Sequence, residues 1–227
     1  MVSPSIGDAQ IGKRRRRWWL AAAMAAILLA LTYACLPRQA DLTAFAPDAM
    51  AELETAMWRD YYEKRYLALA RDLYEVGRGQ YNFSPLDSAR IAFAAASAAK
   101  AFQPSRSRAE AEAALPALIS YFDLLSRGSR IEVDIEDAAR TELAWWQARR
   151  EEVAAEQYGL IIARVATLVY GVDGEDMRRA GVIRAQAMAY RDAHAATITE
   201  ADWTAIEDRL RAAYGLLKTA LLSAAPR

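Results

Sequence analysis

The chain has 227 residues, 54% of them apolar and 26% charged, with 29 basic and 29 acidic side chains. That balance excludes a disordered chain, and the single cysteine, Cys35, excludes internal disulfides and thiolate metal sites. Five of the cations, Lys13 and Arg14 to Arg17, precede residue 18 beside Asp8 alone, so the chain from Arg38 onward is mildly acidic, 24 cations against 28 anions, and carries no electrostatic footprint for nucleic acid.

Residues 1–17 read as a basic cytoplasmic tail. From Trp18 to Leu36 follow nineteen residues without a charge, enough at about 1.5 Å per residue to cross most of a hydrocarbon core of about 30 Å. Because the cations stand before this segment, the positive-inside rule predicts a single-pass signal-anchor with its N-terminus in the cytoplasm and the following domain outside it. Trp18, Trp19 and Tyr33 suit the interfaces. A cleaved signal peptide is the rival reading, with Thr32-Tyr33-Ala34 as a poor cleavage site; Arg16-Arg17 loosely fits a twin-arginine signal, and Thr32 to Cys35 a lipoprotein box.

Residues 37–46 read as an irregular linker, and 47–227 as a helical domain. Helical periodicity punctuated by cap and stop signals predicts six helices. The first starts at Pro47-Asp48 and ends at Gly77 and Gly79. Ser84-Pro85 opens the second, an alanine-rich helix that ends before Pro104 and offers its neighbours small faces. Ser107 to Glu110 is a capping box for the third, which Pro116 should kink and Gly128 should end. After an extended piece from Ile131 to Ile135, a long fourth helix runs from Glu136 to Tyr170. The fifth spans Gly174 to His194, and Thr199 caps the sixth, whose stripe includes Trp203, Ile206, Leu210 and Tyr214. The expected fold is all-α: one N-terminal transmembrane helix followed by a roughly six-helix extracytoplasmic bundle with antiparallel neighbours.

Familiar catalytic arrangements are not found. His194 is the only histidine, so neither a multi-histidine metal site nor a His-based triad with a nucleophile elbow can be read, and no cofactor is expected. Its place at a helix end suits a solvated or capping role. Gly77 to Asn82 reads as a helix stop and not a nucleotide loop, and Glu132, Asp134, Glu136 and Asp137 read as an N-cap with helix-dipole acids.

The informative feature is charge on faces that should be buried. Glu142, Arg149, Arg150 and Arg164 share the apolar face of the fourth helix, Arg184 and Arg191 that of the fifth, and Glu54, Arg65 and Asp72 that of the first, near Tyr61 and Tyr62. Buried charges must be paired, so these residues should form a salt-bridge network, with Trp145 stacked on Arg149, or line an arginine-rich pocket for a carboxylate, phosphate or sulfate group. The function expected is a membrane-anchored binding or scaffold module, an accessory subunit with a protein partner in the membrane or periplasm. The alternative is an exported protein or enzyme holding a small anionic ligand in that pocket, with Glu142 available for acid/base work.

Overall fold

The computed structural model describes residues 6–36 and 38–224. It divides into two units, residues 1–37 and 38–227. All regular structure among the described residues is helical.

The first unit is one helix, α1 (Ile6–Cys35), which continues back through the basic run. Its stretch Trp18–Cys35 is long and apolar enough to cross a membrane or to serve as a signal sequence, and none of it is buried against protein.

In the second unit the helices are α2 (Pro47–Tyr62), α3 (Tyr66–Glu75), α4 (Pro85–Phe102), α5 (Arg108–Ala111), α6 (Leu115–Ser129), α7 (Ile135–Arg150), α8 (Ala155–Tyr170), α9 (Glu175–Ala193) and α10 (Glu200–Ala224). A π-helical turn, Val76–Gln80, extends α3, and a 3-10 turn, Glu112–Ala114, joins α5 to α6. Each long helix packs on its neighbours in sequence, and α10 returns to pack on α2. The eight long helices therefore close a ring in chain order, while helices on opposite sides of it do not pack extensively on one another.

Caps set several starts as expected. Ser84 Oγ accepts from the Asp87 amide at 3.1 Å, Ser107 Oγ from Glu110 at 3.2 Å, Asp134 Oδ1 from Asp137 at 3.0 Å, and Thr199 Oγ1 from Asp202 at 3.3 Å. The domain nevertheless has more helices than the six expected, because three predicted helices are broken. The first divides after Tyr62, where Lys64 takes φ 58°, and the Arg65 and Lys64 amides donate back to the Asp60 and Tyr61 carbonyls at 2.8 and 3.2 Å. The fourth divides the same way: Glu152 has φ 57°, and the Val153 and Glu152 amides reach the Ala148 and Arg149 carbonyls at 3.0 and 3.1 Å. Both are Schellman ends with a charged residue where glycine is usual. In the third, Pro116 sits in the first turn of α6 and makes a new start, not an internal kink.

The glycines also differ from expectation. Gly77 and Gly79 lie within the π turn, and the helical path ends before Asn82 (φ 58°). Gly128 does not end its helix, which runs to Ser129 with left-handed Arg130 behind it; a Cβ at Gly128 would strike the buried Phe83 ring. Gly159 and Gly181 let α8 and α9 cross closely, since a Cβ on Gly159 would stand 2.6 Å from Val182 Cα.

The segment expected as a linker packs into the domain. Ala40, Leu42 and Phe45 are buried, the Ala40 amide donates to Gly128 O at 3.1 Å, and Asp41 donates to Tyr81 O at 3.1 Å.

Candidate functional site

The ring surrounds a partly open cavity of about 460 Å³, walled by residues from α2, α3, α4 and α6 to α10, with Leu42 before α2 and Tyr81 after the π turn. Small side chains leave the space: Ala95, Ala96 and Ala99 present one face of α4 to it, so the alanine-rich face makes room and not only close contact. Aromatic rings supply much of the rest of the wall, among them Trp58, Tyr61, Tyr121, Trp145, Trp146 and Tyr170. The charged residues of the wall are Glu54, Glu142, Arg149 and Arg184.

Bonds from these residues join helices that are not neighbours in the ring. Glu54 of α2 is 2% exposed, and its Oε1 accepts from Nε and Nη2 of Arg184 on α9 at 2.8 and 2.5 Å. Its Oε2 accepts from the Tyr214 hydroxyl of α10 at 2.6 Å. Burial works against the Arg184 charge, but Glu54, Tyr214 and Glu142 outweigh it, and the guanidinium pKa is raised. Arg149 of α7 donates from Nε and Nη2 to Asp192 of α9 at 2.9 and 2.8 Å, and from Nη2 to the Tyr62 hydroxyl of α2 at 2.6 Å. Its pKa is also raised: desolvation opposes the charge, and Tyr62 and Asp192 overcome it.

Glu142 is different, because no cation bonds to it among the described residues. Its Oε1 accepts from Trp146 Nε1 at 2.9 Å. Trp145 Nε1 is buried and closes no hydrogen bond of good geometry, yet it lies near enough to favour the carboxylate. Glu142 is half-buried and lines the cavity. Burial pushes its carboxyl upward, Glu54 adds to that, and Trp145, Arg184 and Trp146 pull it back; the net shift is upward. The tyrosines around it are also pushed up, chiefly by burial: Tyr61, Tyr81, Tyr121, Tyr170 and Tyr214.

Of the residues singled out from sequence, the structure brings Tyr61, Tyr62, Glu142, Arg149 and Arg184 to the cavity wall, and Glu54 with them. Arg191 stands behind the wall, its guanidinium 3.2 Å from the Tyr62 ring centroid and its Nη1 3.3 Å from Asp192. Arg150 turns outward onto the Phe102 ring and donates to Phe102 O at 2.9 Å. Arg164 is a surface residue bonded to Asp137 at 3.1 Å, since the break after α7 rotates α8 away from the assumed continuous face. Arg65 and Asp72 also stay local, with Asp60 and Arg71 as their partners. Trp145 does not stack on Arg149; it lies 5.6 Å from the guanidinium of Arg184. His194 caps the end of α9, stacked on Tyr190.

Sequence reasoning missed Trp58, Tyr121, Tyr170 and Tyr214 as wall residues, because a ring around a cavity and a ring around a packed core have the same apolar periodicity. No cluster of metal-binding side chains occurs among the described residues. Comparison with protein-family models, with curated proteins and with solved structures finds no match to this chain.

Proposed function

We propose that this chain is an extracytoplasmic binding module, held to the membrane by α1 with its N-terminus in the cytoplasm, whose central cavity takes a small and largely apolar ligand. The cavity carries this reading. Its volume of about 460 Å³ falls in the range of small-molecule sites, and aromatic walls with a few inward polar groups are what such sites require. Burying charged groups beside unfilled space weakens a fold, so selection for packing alone would have filled it. The charge distribution of α1 supports the orientation: Arg14 to Arg17 precede the apolar stretch, and Arg38 is the nearest cation beyond it.

The test is a ligand screen on the full chain in detergent, followed by the fluorescence of the cavity tryptophans and by melting temperature. Ligands should raise the melting temperature in the unaltered chain and fail to do so in Ala96→Leu, which occupies the space. A screen in which Ala96→Leu responds like the unaltered chain removes the cavity reading. Carbonate extraction and a C-terminal topology reporter test the anchor, and a soluble product lacking the apolar segment would replace it with a cleaved signal.

The second reading, an accessory subunit with a protein partner, rests on a different observation. Phe93 of α4 and Leu67 of α3 are 76% and 90% exposed, large apolar side chains that no part of the domain covers. If this reading holds, Phe93→Ser or Leu67→Ser loses a specific partner recovered from solubilised membranes, while ligand response in the cavity is kept.

A further inference from the structure

Charge matching around the cavity narrows the ligand class. The arginines that suggest an anion site are already bonded to carboxylates: Arg184 by two hydrogen bonds to Glu54, and Arg149 by two to Asp192, which Arg191 behind the wall shares. An anion placed at Arg184 would stand beside both Glu54 and Glu142, each of which interacts electrostatically with that guanidinium. The wall carboxylate that no cation hydrogen-bonds among the described residues is Glu142. Glu142 faces the cavity, is held in place by Trp146 Nε1, and has the indole of Trp145 next to it with an unbonded N–H. The rings of Trp58, Tyr61, Phe102 and Tyr121 line the same space, and ring faces attract a desolvated cation.

We propose that the cavity binds a monocation, an amine or ammonium group carried on an apolar or aromatic body, with Glu142 as its counter-ion. This rests on the cavity being a ligand site. An ammonium group there gives Glu142 the directly bonded cation it lacks, while its apolar body occupies the space against α4. Burial raises the Glu142 carboxyl and a bound cation would lower it again, so binding should be coupled to proton release in the acidic range. The groups that share the cavity with Glu142 do not confuse this reading. Glu54 of α2 is engaged by Arg184 of α9 and Tyr214 of α10, Arg149 of α7 is paired, and the hydroxyls of Tyr61, Tyr81 and Tyr121 keep their protons because burial raises each of them.

The experiment uses the full chain and three probes of one shape class: benzyltrimethylammonium, its uncharged isostere neopentylbenzene, and phenylacetate. Since the quaternary ammonium does not titrate, any pH dependence belongs to the protein. Benzyltrimethylammonium should bind about tenfold or more tighter than either other probe. Its affinity should rise with pH through the acidic range, and calorimetry in buffers of different ionisation enthalpy should show a proton released on binding. Glu142→Gln should lose the preference and the pH dependence together. Proton release is read on the unaltered chain, so the test stands even if that variant does not fold. If the neutral or anionic probe binds as tightly as the cation, and Ala96→Leu still weakens it, the cation assignment is overturned and the cavity reading survives. If no probe binds, or Ala96→Leu leaves binding unchanged, both are overturned.

Discussion

Glu54 shows why the interior charges of this domain have to be considered together. A carboxylate this deeply buried is tolerated because three donors on two other helices satisfy it, and removing one of them leaves charge without compensation. Arg184→Met should therefore cost about 3–5 kcal/mol in urea unfolding, whereas Tyr214→Phe, which removes a single hydrogen bond to a charged group, should cost about 1.5–3 kcal/mol. Equal losses for the two would show that Glu54 is not held as described. Glu142 makes the stability depend on pH. Its folded-state pKa is raised, so the native chain holds the proton more tightly than the unfolded one. The stability this provides is present below the unfolded value and is lost as pH rises through the folded one. The stability of Glu142→Gln relative to the unaltered chain should accordingly increase with pH across the acidic range, and a constant difference between them would contradict the burial of this carboxyl.

At the level of helices, local chemistry was readable wherever it was carried by residues that have one conformational meaning. Ser84, Ser107, Asp134 and Thr199 all cap as their sequence context suggests, because a short oxygen side chain before a helix has few other uses. The two missed breaks have a matching explanation. Lys64 and Glu152 sit in the left-handed region without being glycine, so no stop signal marked either end, and the projection that placed Arg164 beside Glu142 ran through a break. Membership of the site followed the same division: Glu142, Arg149 and Arg184 were found as misplaced charges, while the aromatic wall was indistinguishable from core. These two residues also predict a gain. A non-glycine residue in the left-handed conformation costs about 1 kcal/mol, and Glu152 is exposed with its backbone already in Schellman geometry. Glu152→Gly should raise stability by about 0.5–1 kcal/mol, read as a shift in urea midpoint without a change in slope. A loss of stability would mean that the end is held by the Glu152 side chain instead.

Closing a ring in chain order places the greatest demand on its two ends. Every other neighbour is also a neighbour in sequence, but α10 must find α2, and the contacts that join them span the whole domain. Lys218 Nζ donates to Thr43 O and Phe45 O at 2.5 and 3.1 Å, Arg211 pairs with Asp48 at 3.2 Å, and Tyr214 packs edge-on against Phe45 while bonding Glu54. The residues just before α2 are thus part of the closure, which sets where the chain can be cut. Removing residues 1–37 takes away a separate unit and should leave the unfolding of the ring unchanged. Removing residues 1–46 also deletes Ala40, Leu42 and Phe45, all buried, and takes the carbonyl partners of Lys218 with them. Loss of Leu42 and Phe45 alone should cost about 5 kcal/mol or more, comparable to the whole stability of many domains. The longer truncation should therefore be open to proteolysis at the end of α10 and lose the ligand response of the cavity, while the shorter one keeps both. A cleaved form of the protein that begins directly after Cys35 would retain the full closure, whereas one beginning after Phe45 would not. If the two truncations unfold alike, the closure is made by α2 and α10 alone and the segment before them is a tether.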